Sequence, residues 1–501
     1  MKKILLVIIC VLFFTAVKSR CQEQPLANED KNGLYVRSIE QLMRLDNEEI
    51  DMATATLIIS EQWSDLVYGQ RYISRLDDMA IEIRSRIEAK GLKTNYKAVA
   101  VINNYLFDEL GFKSIPEATN PDDLFLHTVL DEKRGYCLSL SILYLSLGER
   151  LGLPLYGVVV PGHFFVRYDD GRVRFNIETT SRGGTADDNY YIDKFNVPQR
   201  NSDSIYMLNL NKMQTLGCFF NNLGNCYGDI GNNELALLAF ERAVQINPSL
   251  SESRMNLGNI YLKKGRIENA IYEYQTALRI NPNDAKTYDN LGNAYAKKGW
   301  LNDAISQYSQ SIKLDPNLTN AYINLANAHC KLKMFAQAQS ALKQAVILEP
   351  KNARCYNQLG SLYTQMNNHE EAISQYKKAL KIKPNSAEAH YGLAVCYNKL
   401  GLTDDEIQAY KKALAAKPDM VAALANLGNA YFNRQKYDAA IEQYNKAIQI
   451  THDDGLIHYN LAIAYYHNDN YEQAWKHIKI AEEASIEIAE DLIRAIENKL
   501  N

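Results

Sequence analysis

Arg134-Gly-Tyr-Cys137-Leu-Ser-Leu-Ser-Ile-Leu-Tyr-Leu145, Pro161-Gly-His163-Phe-Phe-Val-Arg-Tyr168 and Phe175-Asn-Ile-Glu178-Thr-Thr180 decide how the first part of this chain folds. A thiol, an imidazole and a carboxylate follow one another in them, each at the edge of a predicted element. Gly135 permits a tight turn, after which Leu138 to Leu151 has helical apolar spacing and stops near Gly152 and Pro154. Cys137 is therefore expected beside a helix N-terminus, where unpaired backbone N–H groups and the helix dipole stabilise a thiolate. Residues 155–160 and 164–168 read as strands, Asp169-Asp-Gly171 as a hairpin turn and residues 172–177 as a third strand. That hairpin brings Glu178 close to His163 with no long-range assumption. A cysteine nucleophile needs this set: a base for the thiol, and a third group that fixes the tautomer of the imidazole.

Together with Leu151-Gly-Leu-Pro-Leu-Tyr-Gly157, the motifs around Cys137 and His163 resemble the SirB1-type branch of the transglutaminase-like superfamily, over about residues 57–200. The resemblance implies a papain-like α+β fold with Cys137 as nucleophile, His163 as general base and Glu178 as the orienting carboxylate. The superfamily's third member is typically Asp; here it is Glu178, one methylene longer. Plainer roles remain open for each residue: a buried structural thiol for Cys137, a turn histidine for His163, a solvated strand end for Glu178. A fold of this type does not by itself make an enzyme.

Upstream of these motifs, Tyr72, Ile73, Leu76, Met79, Ile83 and Ile87 recur three or four apart and end at Gly91, and a further helix fits residues 96–110 before Gly111. The transglutaminase-like domain is taken as residues 33–200. Residues 1–19 start with Lys2 and Lys3 and run into a short apolar stretch, which reads as a secretory signal or an uncleaved N-terminal anchor. Export to a periplasmic or extracellular location follows. Lys18 and Arg20 argue against lipid attachment at Cys21. The chain has 501 residues, a net charge of -4 and no local basic run, which leaves nucleic acid without an electrostatic footprint. Its nine histidines are dispersed and its eight cysteines have neither zinc-site nor disulfide-framework spacing, so no metal and no cofactor are expected.

Downstream, the Gly-, Asp- and Ser-rich stretch 181–214 carries the apolar anchors Tyr190-Tyr-Ile192 and Ile205-Tyr-Met-Leu208, and reads as an ordered connector reaching residue 216. From Gly217 a period of 34 takes over: Pro248, Pro282, Pro316, Pro350, Pro384 and Pro418 keep it, as do Leu223-Gly224, Leu257-Gly258, Leu359-Gly360 and Leu427-Gly428. Tyr227, Tyr261, Tyr295, Tyr363, Tyr397, Tyr431 and Tyr465 share the register, with Ala236, Ala270, Ala304, Ala338, Ala372, Ala440 and Ala474. This is the tetratricopeptide (TPR) signature: eight repeats over residues 217–488, then a capping helix over residues 489–501 with Leu492, Ile496 and Leu500 on one stripe. His329 and Glu406 replace a tyrosine and an alanine of the pattern and are expected to loosen the array locally.

Asn222, Asn256, Asn290, Asn324, Asn426 and Asn460 recur at the sixth position of the repeats, on the helix face that usually lines the concave groove of such arrays. Gly392 interrupts that row. The amides either bond the backbone of a bound polypeptide or are simply repeat consensus. The fold class is thus an α+β papain- or transglutaminase-like domain followed by an all-α TPR solenoid. Two functions fit it: an exported peptide-binding protein that performs acyl transfer on amide bonds, or a non-enzymatic scaffold with a silent first domain.

Overall fold

The computed structural model describes residues 28–29, 35–64, 67–197 and 204–500; the expected leader lies outside them. The chain divides into two compact units, Met1–Ala294 and Tyr295–Asn501.

In the first unit, helix α1 (Met52–Trp63) starts at Asp51, whose carboxylate accepts the Thr54 N–H. Helix α2 (Gly69–Ala89) buries Tyr72, Leu76, Ile83 and Ile87 along one face, as the spacing predicts. It stops just before Gly91, at φ +63°. Helix α3 (Ala98–Asn103) continues as a π-helical turn over residues 104–109 and ends before Gly111. Helix α4 (Leu126–Glu132) leads into α5 (Cys137–Leu151), which is buried along almost its whole length and closes on Gly152 at φ +71°. Strands β1 (Leu155–Val160), β2 (His163–Asp169) and β3 (Arg174–Ile177) form one antiparallel sheet in that order, with Val160 opposite His163 and Val166 opposite Ile177.

Arg167 on β2 is fully buried, and its guanidinium is spent on three elements. It donates to Asn176 Oδ1 at 2.7 Å, to the Met207 carbonyl at 2.8 Å and to Asp188 Oδ1 at 2.7 Å. Sheet, helix α6 (Asp188–Lys194) and connector are thereby fastened together, and removing one partner of such a charge costs about 3–5 kcal/mol. The connector is also held by Leu210, which bridges to Gly157, and by the buried Ile205 and Tyr206.

The first helix of the array, α7 (Lys212–Asp229), starts five residues earlier than the Gly217 register suggests. Asn211 Oδ1 accepts the Gln214 N–H at 2.7 Å, and Gln214 Oε1 accepts the Asn211 N–H at 3.0 Å, so a capping box converts the end of the connector into helix. Helices α8 (Asn233–Ile246), α9 (Ser251–Lys263), α10 (Ile267–Ile280) and α11 (Ala285–Lys298) follow. Helix α7 is shared with the first domain: Phe220 and Tyr227 each lie 5.7 Å from Trp63, and Phe219 lies 6.1 Å from Phe125.

The second unit alternates helices from residue 301 to residue 483 and ends in a helix at Glu490–Leu500, whose Ile496 is buried on the last repeat beside Leu492. Substitution of the pattern residues leaves helix lengths unchanged. Glu406 is buried inside its helix and accepts Asn398 Nδ2 at 2.9 Å, and His329 is buried in Thr319–Lys331. The expected loosening is thus not expressed as a break in either helix.

Candidate active site

Cys137 is the first residue of α5, following Tyr136 in extended backbone at φ -78° and ψ 167°. Ser139 Oγ accepts the Tyr136 N–H at 2.9 Å and fixes that turn. His163 is the first residue of β2, delivered by Gly162 at φ +71°, a conformation that a side chain at that position would strain. Glu178 follows β3 and opens a 3₁₀ turn at Thr179–Ser181.

These three residues meet. His163 Nε2 lies 2.7 Å from Glu178 Oε2, and the His163 ring is also hydrogen-bonded to Cys137. With Nε2 committed to the carboxylate, Nδ1 is the nitrogen that faces the thiol. The glutamate is itself held on every side: Oε2 accepts the Tyr191 hydroxyl at 3.2 Å, and Oε1 accepts the Thr180 N–H at 3.1 Å and the Thr180 hydroxyl at 2.6 Å. The extra methylene relative to aspartate therefore does not leave the group loose. Phe195 stacks on the imidazole at 4.8 Å with ring planes 3° apart, so the ring is clamped in plane as well as hydrogen-bonded.

Electrostatics follow from this packing. Burial alone would lower the pKa of His163, but the hydrogen bonds to Cys137 and Glu178 and the charges of those two groups outweigh it and carry it up to about 9. Burial pushes Glu178 up, and the bonds to His163 and Thr180 more than reverse that, leaving its carboxyl below the ordinary range. Both directions favour a protonated imidazole beside an ionised carboxylate at neutral pH.

Several contributors carry no sequence signal of their own. The Tyr136 hydroxyl hydrogen-bonds Cys137, and burial followed by the Cys137 charge raises that phenol. Thr179 bonds Ser141 at 3.0 Å and the Cys137 carbonyl at 3.4 Å, tying the Glu178 turn to the first turns of α5. Tyr191 reads in the sequence only as an aromatic anchor of the connector, and Phe195 not even as that.

Beside the thiol lies a cavity of about 90 Å³ whose wall includes Cys137, His163, Asn221, Asn222, Asn225 and Glu252. The last four come from the first two repeats. Asn222, expected on the groove face, thus lines the site, although its Nδ2 donates to the Cys218 carbonyl at 2.9 Å. Asn256 gives its amide to Asn221 at 3.2 Å and Asn225 at 3.0 Å. In the second unit Asn426 donates to the Tyr391 hydroxyl at 3.1 Å and Asn460 to Asn429 at 3.5 Å; Asn290 and Asn324 sit on the first helices of their repeats. The amide row therefore serves repeat-to-repeat bonding, whatever else it holds. Among the described residues no group of three or more His, Cys, Asp or Glu is placed to hold a metal ion, and no helix is long and apolar enough to cross a membrane.

Residues 70–213 match the transglutaminase-like superfamily. Residues 219–400 match the C-terminal domain of cilia and flagella-associated protein 70, and residues 387–420 and 428–469 match tetratricopeptide repeats. The chain therefore contains a transglutaminase-like domain followed by TPR repeats. Among individual proteins, it is 34% identical over 134 residues to a UPF0162 protein of Xylella fastidiosa, covering 26% of this chain and 47% of that protein. It is 33% identical over 120 residues to F-box only protein 21 of Mus musculus, covering 23% and 16%. The chain spans about half the length of the UPF0162 relatives it matches, and that likeness supports a SirB1-type arrangement. A tetratricopeptide repeat protein from Parabacteroides merdae is similar in structure, with 19% identity, coverage of 50% of this chain and 99% of that one, and a TM-score of 0.39.

Proposed function

We propose that this chain is an exported polypeptide-binding protein whose first domain performs thiol-dependent acyl transfer on amide bonds. The observation that carries the reading is the continuous chain from Cys137 through His163 to Glu178, with Nε2 2.7 Å from the carboxylate, opening on a cavity walled in part by the first repeats. Cys137 Sγ attacks the amide carbonyl carbon; backbone N–H groups at the start of α5 stabilise the oxyanion. The C–N bond breaks as His163 gives its proton to the departing amine, leaving a thioester. Water then attacks the thioester, His163 accepts a proton from it, and the carboxylic acid and the thiol are released; an amine in place of water gives a new amide. The repeats hold the polypeptide, with Asn222 and Asn256 on the face nearest the thiol and Asn290, Asn324, Asn426 and Asn460 continuing the row.

A non-enzymatic scaffold is the second reading, and one observation favours it: Cys137 is only 4% exposed. Iodoacetamide alkylation of Cys137, read by peptide mass spectrometry from pH 5 to 9, separates the two. The enzyme reading expects fast alkylation near neutral pH that falls at least about tenfold in His163→Ala. A Cys137 that reacts no faster than Cys330 and ignores that substitution rejects it.

A further inference from the structure

The wall opposite His163 carries an acid that the acyl-transfer chemistry leaves unused. Glu252 is the second residue of α9, yet its carboxylate turns away from its own helix end: Oε1 accepts the Gly162 N–H at 3.1 Å, one residue from His163. The Tyr206 hydroxyl also bonds it, so its direction is fixed. Among the described residues no lysine or arginine forms an ion pair with it. Asp284 and Lys286 are the charged side chains that act on it, with opposite signs, from the start of α11. A partly buried carboxylate lining a site without a counter-cation is costly unless a ligand supplies one.

We infer that Glu252 is a specificity-determining residue that binds the terminal α-ammonium of a polypeptide, so that the amide presented to Cys137 is the one that follows the first residue of the substrate. This rests on the acyl-transfer reading for its chemistry, but not for its binding. Cavity size selects the terminal ammonium over a lysine side chain. Its volume of about 90 Å³ is below the roughly 150 Å³ that encloses a benzene ring, and both the carboxylate and Cys137 face it. The ammonium and the attacked carbonyl must therefore be close in the substrate. An α-ammonium is separated from its own carbonyl by one carbon, whereas the ammonium of lysine adds a four-carbon stem. Burial pushes Glu252 up to about 7, which leaves it poised to ionise fully once an ammonium arrives. In the reaction, Cys137 forms the thioester with the first residue, the shortened polypeptide leaves as the amine with the His163 proton, and water releases the amino acid.

The test is calorimetric titration of the full chain carrying Cys137→Ala, which binds without turnover. Three probes are used: glycyl-alanine amide, its N-acetyl form, and N-acetyl-lysine amide. We expect glycyl-alanine amide to bind about tenfold or more tighter than the acetylated form, and Glu252→Gln in the same background to remove the preference while still accepting the Gly162 N–H. Equal affinities, no binding of any probe at millimolar concentration, or a preference that survives Glu252→Gln overturns the inference; tighter binding of N-acetyl-lysine amide overturns the terminal assignment. None of these titrations needs a reactive thiol, so the alkylation experiment judges the catalytic reading on its own.

Discussion

At the scale of single residues, the site's behaviour is set by how completely Glu178 is held. Four hydrogen bonds reach its two oxygens, and the His163 ring is stacked on Phe195, so the histidine cannot relax away from the carboxylate. Because the folded pKa of His163 is raised to about 9 from an ordinary 6.5, the proton it holds stabilises the fold fully below pH 6.5. That contribution is lost as pH climbs through about 9. The imidazole resonances should titrate near 9 in the native protein and move down by at least one unit in Glu178→Gln, as read by NMR. A midpoint that stays at 6.5 in the native protein would remove the ion pair from the account.

At the scale of elements, the repeats show why small residues stand where they do. A Cβ on Gly360 would lie 2.6 Å from the Tyr376 ring, and one on Gly392 would lie 2.3 Å from the same ring, so the tyrosine is gripped from its own repeat and from the next. This gives a physical reason for the gap that Gly392 makes in the asparagine row. Where the second helix carries Leu342 or Ile478 in place of tyrosine, the first helix carries Ala326 or Ala462 in place of glycine. Gly360→Ala should therefore destabilise: about 1–3 kcal/mol of overpacking outweighs about 1 kcal/mol of helix propensity gained. Adding Tyr376→Leu should recover most of the loss, measured by denaturant unfolding of the double variant. In the last repeat, His458 Nδ1 and His477 Nδ1 face each other at 2.9 Å in a buried site. Burial, then the charges of His458 and Lys476, lower the pKa of His477 to about 4. Its unfolded form binds protons first, so stability here is full above pH 6.5 and is lost as pH falls toward 4. Hydrogen exchange of residues 455–483 should accelerate at pH 5 relative to pH 7.5, and His477→Leu should flatten that dependence.

Legibility in the sequence divides along the same line. Helix stops at Gly91, Gly111 and Gly152, the hairpin at residues 169–171 and the 34-residue register were all readable, because each is written in neighbouring residues. Proximity of Glu178 to His163 was readable for the same reason: a hairpin is local. The Arg167 network, the Phe195 stack and the Glu252 bond to Gly162 were not, since their partners lie 9 to 90 residues away and no spacing rule links them. The start of α7 at Lys212 was legible in principle from Asn211 and Gln214, but the repeat register pointed elsewhere.

At the scale of the whole first unit, domain and repeats share one core. Trp63 and Phe125 pack on Phe219, Phe220 and Tyr227, and Lys212 pairs with Glu149. Burying each such aromatic contributes about 1.5–3 kcal/mol. A chain ending at Arg200 should therefore unfold at a lower temperature than one ending at Ile280, followed by circular dichroism, and should expose apolar surface to a dye such as ANS. Equal midpoints would mean that the first domain is complete without α7.

The shared cavity wall also sets an order in time. Cys137, His163 and Glu178 leave the ribosome before Asn221, Asn222, Asn225 and Glu252 do, and at roughly 5–20 residues per second the interval is about ten seconds. During synthesis the thiol and its partners exist without the far side of their enclosure, and only the arrival of the second repeat closes it. A nascent chain thus carries an unfinished site whose completion is a late event of its own biogenesis.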